Sequence, residues 1–144
     1  MTSILAAKLL VFSGASAIAF SSLLGLAMLI PLQSWGHRFG KGMNFKQVGA
    51  AHLDWIMLGL MQGLAGGLIA LFSLDVTTAA VWAMIFGAWA NPLPYVFRAF
   101  GVNAFAFAGG PVQRAAAGLG LTSSLAILYA WSVILSGALT AWTA

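Results

Sequence analysis

The stretch VGAAHLDWIMLGLMQGLAGGLIALF, residues 48–72, is apolar apart from His52, Asp54 and Gln62. It exceeds the roughly 20 residues of helix that cross a hydrocarbon core, so it reads as a transmembrane helix. Near its head lies Asp54, the one acid that falls inside an apolar run of this chain. An ionisable side chain at that depth costs roughly 2.5–3.5 kcal/mol even on lenient insertion scales, and is normally kept for a ligand, a cofactor or a proton. Ala51-His52-Leu53-Asp54-Trp55 is therefore where a function is sought.

The composition describes what surrounds that cluster. Of 144 residues 62% are hydrophobic and 6% charged, with a mean hydropathy of +1.00. A water-soluble domain could not carry that surface without aggregating, so the chain is read as an integral membrane protein. Cysteine is absent, which excludes a disulfide frame, a thiolate metal site, thioether-linked haem and a cysteine nucleophile. The net charge of +4 sets six Lys and Arg, scattered over loops and helix ends, against two acids. They read as topology signals and not as a nucleic-acid patch.

Three further apolar runs follow the same rule, giving an all-α, integral membrane four-helix bundle, a single membrane domain over 1–144. The first runs from about residue 5 to 30 and is stopped by Pro31; the third from about 76 to 97; the fourth from about 112 to 142, long enough to imply tilt. Ser73 to Asp75 form the turn between the second and third. Pro92 and Pro94 remove two backbone donors and push Asn91 and Leu93 away from helical geometry, so the third helix is expected to end raggedly. Ala15-Ser16-Ala17 has the small-x-small form of a signal-peptide cleavage site, but the apolar run before it, Leu9 to Phe12, is short of the usual core of about 7–15 residues. The first run is kept as a membrane helix. Arg38, Lys41, Lys46, Arg98 and Arg114 flank one side of this topology, against Lys8 and Asp75 on the other. The positive-inside rule then puts the two basic loops in the cytoplasm and both termini outside.

This topology brings His52 and the segment Trp89-Ala90-Asn91-Pro92-Leu93-Pro94-Tyr95 to the same depth, where two polar clusters can face each other. Positions 52, 56, 59, 63 and 66 recur at helical spacing and read His, Ile, Gly, Gly, Gly. Such a stripe lets another helix or a flat ligand approach the backbone; close helix packing is its ordinary use. Asp54 lies about 200° around the helix from His52, at roughly 100° per residue, so the two cannot chelate one metal side by side. With His37 in a loop, no third imidazole or carboxylate reaches that depth, and a protein-only zinc site is not expected. His52 then has three readings: a satisfied structural histidine, the commonest; a single axial ligand to haem iron; or proton transfer or another ligand.

Ala51-His52 opening helix two, Gly59 seven positions after the histidine, and Trp89-Ala90-Asn91 with Tyr95 near the end of helix three together resemble the styrene oxide isomerase family. Ala51-His52-Leu53-Asp54 is also similar to the hydroxylaminobenzene mutases, related small membrane isomerases. The resemblance covers roughly residues 48–97. It implies a homotrimer in a bacterial inner membrane, with non-covalent haem b between neighbouring subunits and the ferric iron acting as a Lewis acid that opens an aryl epoxide toward an aldehyde. His52 would be the axial iron ligand. Tyr95 would hydrogen-bond the oxygen of a small apolar aromatic substrate, Asn91 would orient that oxygen or the tyrosine, and Arg98, with Lys46 and Arg38, lies on the side that would meet the propionates.

Trp55, Trp82, Trp89 and Phe97 are available as walls that keep water from a cationic intermediate, although membrane aromatics are more often filler or interface anchors. The chain departs from the family pattern at Leu58, which stands where the family has Asn before the glycine; Asn91 or Gln62 could compensate. Two other function classes follow. One is a haem-binding membrane protein without catalysis. The other, a small ion-coupled exporter, is disfavoured because residues 5–30 hold no acid to carry its proton.

Overall fold

Thr2 opens the first helix. In the computed structural model, which describes residues 1–143, its hydroxyl accepts from Leu5 N at 3.3 Å and caps α1, Ser3–Ala27. Such a cap satisfies one of the four N–H groups left orphaned at a helix start. A single 3-10 turn, Ile30–Leu32, carries Pro31 and closes the run. α2 spans Phe45–Leu71, starting a turn earlier than hydropathy predicts. Thr77 caps α3, Thr78–Ala90, by accepting from Ala80 N at 3.2 Å. α4 is Leu93–Ala99 and α5 is Pro111–Thr143. Among the described residues there is no strand.

The third apolar run is where sequence and structure part. The apolar run predicts one helix over 76–97 with a ragged end; the structure breaks it in two. Asn91 N still reaches the Gly87 carbonyl at 2.9 Å, but Pro92 has no N–H to continue the ladder, and the chain turns before α4. With 13 residues, α3 is about 20 Å long, short of the roughly 30 Å hydrocarbon core. Among the described residues, three helices are therefore individually long and apolar enough to cross a membrane: Ser3–Leu32 with its terminal turn, Phe45–Leu71 and Pro111–Thr143.

α1 packs along α2, and α3 along α5, while α4 touches both α2 and α5. Lipid tails are as apolar as leucine, so the hydrophobic effect does not drive helices together in a bilayer; close backbone approach does. The α1–α2 seam shows it: a Cβ added to Gly59 would sit 2.7 Å from the Gly14 carbonyl oxygen. Near the turn that joins α2 to α3, Leu10, Ile69, Val81, Met84 and Ile134 form the buried core. Many large apolar side chains face outward, Phe12 and Leu71 each being 76% exposed. At the opposite end, Asn44 N donates to the Ala99 carbonyl at 2.9 Å. This bond ties the start of α2 to the end of α4, so Arg98 and Lys46 share one end of the bundle.

Candidate functional site

His52 projects from the second turn of α2 toward α1. Its Nδ1 lies 2.8 Å from the Ser21 carbonyl oxygen and 2.8 Å from Ser21 Oγ. The hydroxyl in turn donates to the His52 carbonyl at 2.6 Å. With that hydroxyl proton used, Nδ1 is the donor to the Ser21 carbonyl, and the neutral ring carries its lone pair on Nε2. No hydrogen bond engages Nε2 among the described residues. The ring lies over Gly25, where an added Cβ would meet Cε1 at 3.0 Å and Nε2 at 3.5 Å. An imidazole with one nitrogen pinned by a backbone carbonyl and the other free has the arrangement usual in metal-ligating histidines. Among the described residues no group of three His, Cys, Asp or Glu could hold a metal ion. A metal on His52 would have to bring its other ligands with it, as porphyrin iron does.

The two polar clusters lie against each other, but through Asp54 and not through His52. It is Asp54, on the other side of α2, that accepts from Asn91 Nδ2 at 3.3 Å. Asn91 Oδ1 accepts from Ser123 Oγ at 3.1 Å and Ser124 Oγ at 3.0 Å. A polar chain thus crosses from α2 through the α3–α4 break to α5. Beside it opens a cavity of about 350 Å³ lined by Asn91, Tyr95, Phe105, Phe107, Gly120 and Ser124, among others. The Tyr95 ring meets Phe105 edge-on, with centroids 5.0 Å apart. Arg98 is exposed and stacks over the same Phe105 at 5.2 Å, a cation–π contact. His52 does not line this cavity.

The aromatic walls sort themselves. Trp55 donates from its indole to the Trp89 carbonyl at 3.3 Å, and Trp89 donates to Ser13 Oγ at 3.0 Å. Phe20 packs edge-on against Trp55 at 4.9 Å. These three, with Ile85, Phe86, Leu93 and Val96 among their neighbours, bound an apolar recess of about 630 Å³. Trp82 is exposed and Phe97 half-buried; neither lines that recess. Leu58, at the family's Asn position, packs with Ala88 and Ile127 in an apolar cluster. Gln62 is fully buried with neither amide atom hydrogen-bonded, and its Cβ lies beside Gly14 and away from the Tyr95 cavity.

Sequence reasoning named His52, Asn91, Tyr95 and Arg98. It passed over Ser21, Gly25, Ser123 and Ser124, although Ser21-Ser22 and Ser123-Ser124 are paired hydroxyls in apolar runs, which was the available signal. Compared with protein-family models, curated proteins and solved structures, the chain finds no match.

Proposed function

We propose that this chain is a membrane-bound, haem b-dependent isomerase that rearranges an aryl epoxide to the isomeric aldehyde, working as a homotrimer with four crossings and its basic loops in the cytoplasm. The observation that carries it is the state of His52: Nδ1 held by the Ser21 carbonyl and Nε2 free. When bound, ferric haem supplies a Lewis acid. Everything else is the work of the protein's own groups. His52 would hold the iron, and Arg98 lies at the basic end where the propionates would be met. Tyr95 donates its phenolic proton in a hydrogen bond to the epoxide oxygen as the benzylic carbon–oxygen bond lengthens, a preorganised donor aimed at developing charge. A hydride then shifts to the benzylic carbon, so no atom enters or leaves. Water must be kept out or a diol forms, and Phe105 and Phe107, which line the cavity with Tyr95, are apolar walls that suit that demand.

His52 looks onto α1 and Tyr95 onto the α5 side, so one chain does not bring the two to one cavity; a neighbouring subunit would. Four crossings are favoured by the Asn44–Ala99 bond, which returns the chain through α3 and α4 to the end from which α2 departs.

The purified protein is expected to show a Soret band that disappears in His52→Ala; a colourless preparation after expression with ample porphyrin overturns the proposal. Chromatography of products from styrene oxide and from phenylhydroxylamine separates epoxide isomerase from the mutase-type rearrangement that Ala51-His52-Leu53-Asp54 suggests. Haem with conversion of neither identifies a non-catalytic haem protein. Tyr95→Phe is expected to keep its haem and lose on the order of 10²–10³ in rate, the usual cost of one such donor. Unchanged turnover would remove Tyr95 from the mechanism.

A further inference from the structure

Asp54 has no part in that chemistry, yet it is held in a specific contact. Its Oδ2 accepts from Asn91 Nδ2 at 3.3 Å, which turns the amide nitrogen toward α2 and the amide oxygen toward α5. On the oxygen side Ser123 and Ser124 both reach Oδ1, each sharing its proton with the Gly120 carbonyl at 2.9 Å. An amide oxygen has two lone pairs and an amide nitrogen two protons. Both lone pairs and one proton are engaged, and one N–H of Asn91 is left over. Asn91 and Ser124 line the cavity of about 350 Å³ whose other walls include Tyr95, Phe105 and Phe107. That volume falls at the lower end of the range for small-molecule sites, which combine apolar walls with a few fixed polar groups.

We propose that Asp54 is a positioning residue: it holds the Asn91 amide so that the spare N–H donates to the oxygen of a small aromatic ligand seated in this cavity, which Tyr95 also lines. The class of ligand rests on the isomerase reading. The seating does not, because it needs neither His52 nor haem. Asparagine at 54 would have the same shape but could also donate, so the Asn91 amide could turn over and present its oxygen to the ligand. The acceptor-only side of the contact is what fixes the direction.

The test uses the full chain in nanodiscs, labelled with ¹⁵N-asparagine. Three side-chain amides are visible, those of Asn44, Asn91 and Asn103, and Asn91→Gln identifies the middle one. Titration with 2-phenylethanol is expected to move the Asn91 signal saturably, whereas ethylbenzene, the same ring without oxygen, leaves it in place. Asp54→Asn is expected to weaken that binding about tenfold while the Asn44 and Asn103 signals stay put, showing an intact fold. Ser123→Ala with Ser124→Ala, which frees the same amide from its oxygen end, is expected to do likewise. An Asn91 signal unmoved by the alcohol, one moved equally by ethylbenzene, or undiminished binding in these variants would overturn the assignment. A colourless preparation leaves this measurement untouched, so it fails separately from the haem proposal.

Discussion

An imidazole with one nitrogen pinned is a ligand of defined tautomer, and its usefulness depends on how little the surroundings move. Gly25 is the neighbour that sets this. A methyl added there would press on Cε1 at 3.0 Å, closer than a relaxed carbon contact of about 3.5–4.0 Å. The ring must then shift or tilt, loosening the Nδ1 contact to the Ser21 carbonyl. Gly25→Ala is therefore expected to reduce haem occupancy several-fold, read as Soret absorbance per protein, with the far-ultraviolet circular dichroism unchanged. Full occupancy in that variant would show that the cradle plays no part. Position 58 carries the opposite lesson. Leu58 is tucked between Ala88 and Ile127, so an Asn introduced there would bury an amide among methyl groups, a change that costs roughly 1–3 kcal/mol when the amide finds no partner.

At the scale of helices, the break at Asn91-Pro92 is the feature that arranges the site. It ends α3 at Asn91, which keeps helical geometry and meets Asp54 and the α5 serines, and it starts α4 so that Tyr95 faces Phe105. Pro92→Ala combined with Pro94→Ala returns both missing N–H groups and lets the two helices fuse. On the proposed isomerase reading, expected are a small rise in helical circular dichroism and a loss of rate with the Soret band retained, since His52 sits on α2. Equal turnover in the fused variant would show that the break is incidental. This element also shows what could be read in advance. The two prolines announced an irregular end, and the lengths of the apolar runs located α1, α2 and α5 to within a few residues. Counting loops put the two polar clusters at one end of the bundle, where Asp54 meets Asn91. Which polar group faces which could not be read, because rotation of a helix about its axis is fixed by backbone contacts such as Gly14 on Gly59, and hydropathy carries no such term. The serines escaped notice for a related reason: in a membrane helix they pass as small filler until a partner stands opposite.

For the whole molecule, the absence of cysteine makes topology directly measurable. Single cysteines at Ser34 and Ala108, both exposed in the connections at the basic end, are expected to react with an impermeant maleimide from the cytoplasmic side only, and cysteines at Thr2 and Asp75 from the opposite side only. Reaction of the Ala108→Cys variant from the side of Asp75 would mean that α3 and α4 do not return across the bilayer, leaving three crossings. The polar chain from Asp54 to Ser124 also bears on biogenesis. Synthesis delivers α1 to α4 before α5, so for a time the side-chain amide oxygen of Asn91 is unmet, and the serines that satisfy it arrive last. Burying a polar atom in hydrocarbon without a partner is unfavourable, and relief comes only when the final helix docks. The nascent protein thus holds a vacancy that its own carboxyl-terminal segment fills, which gives that segment one preferred partner and one preferred depth among the competing surfaces of a crowded bilayer.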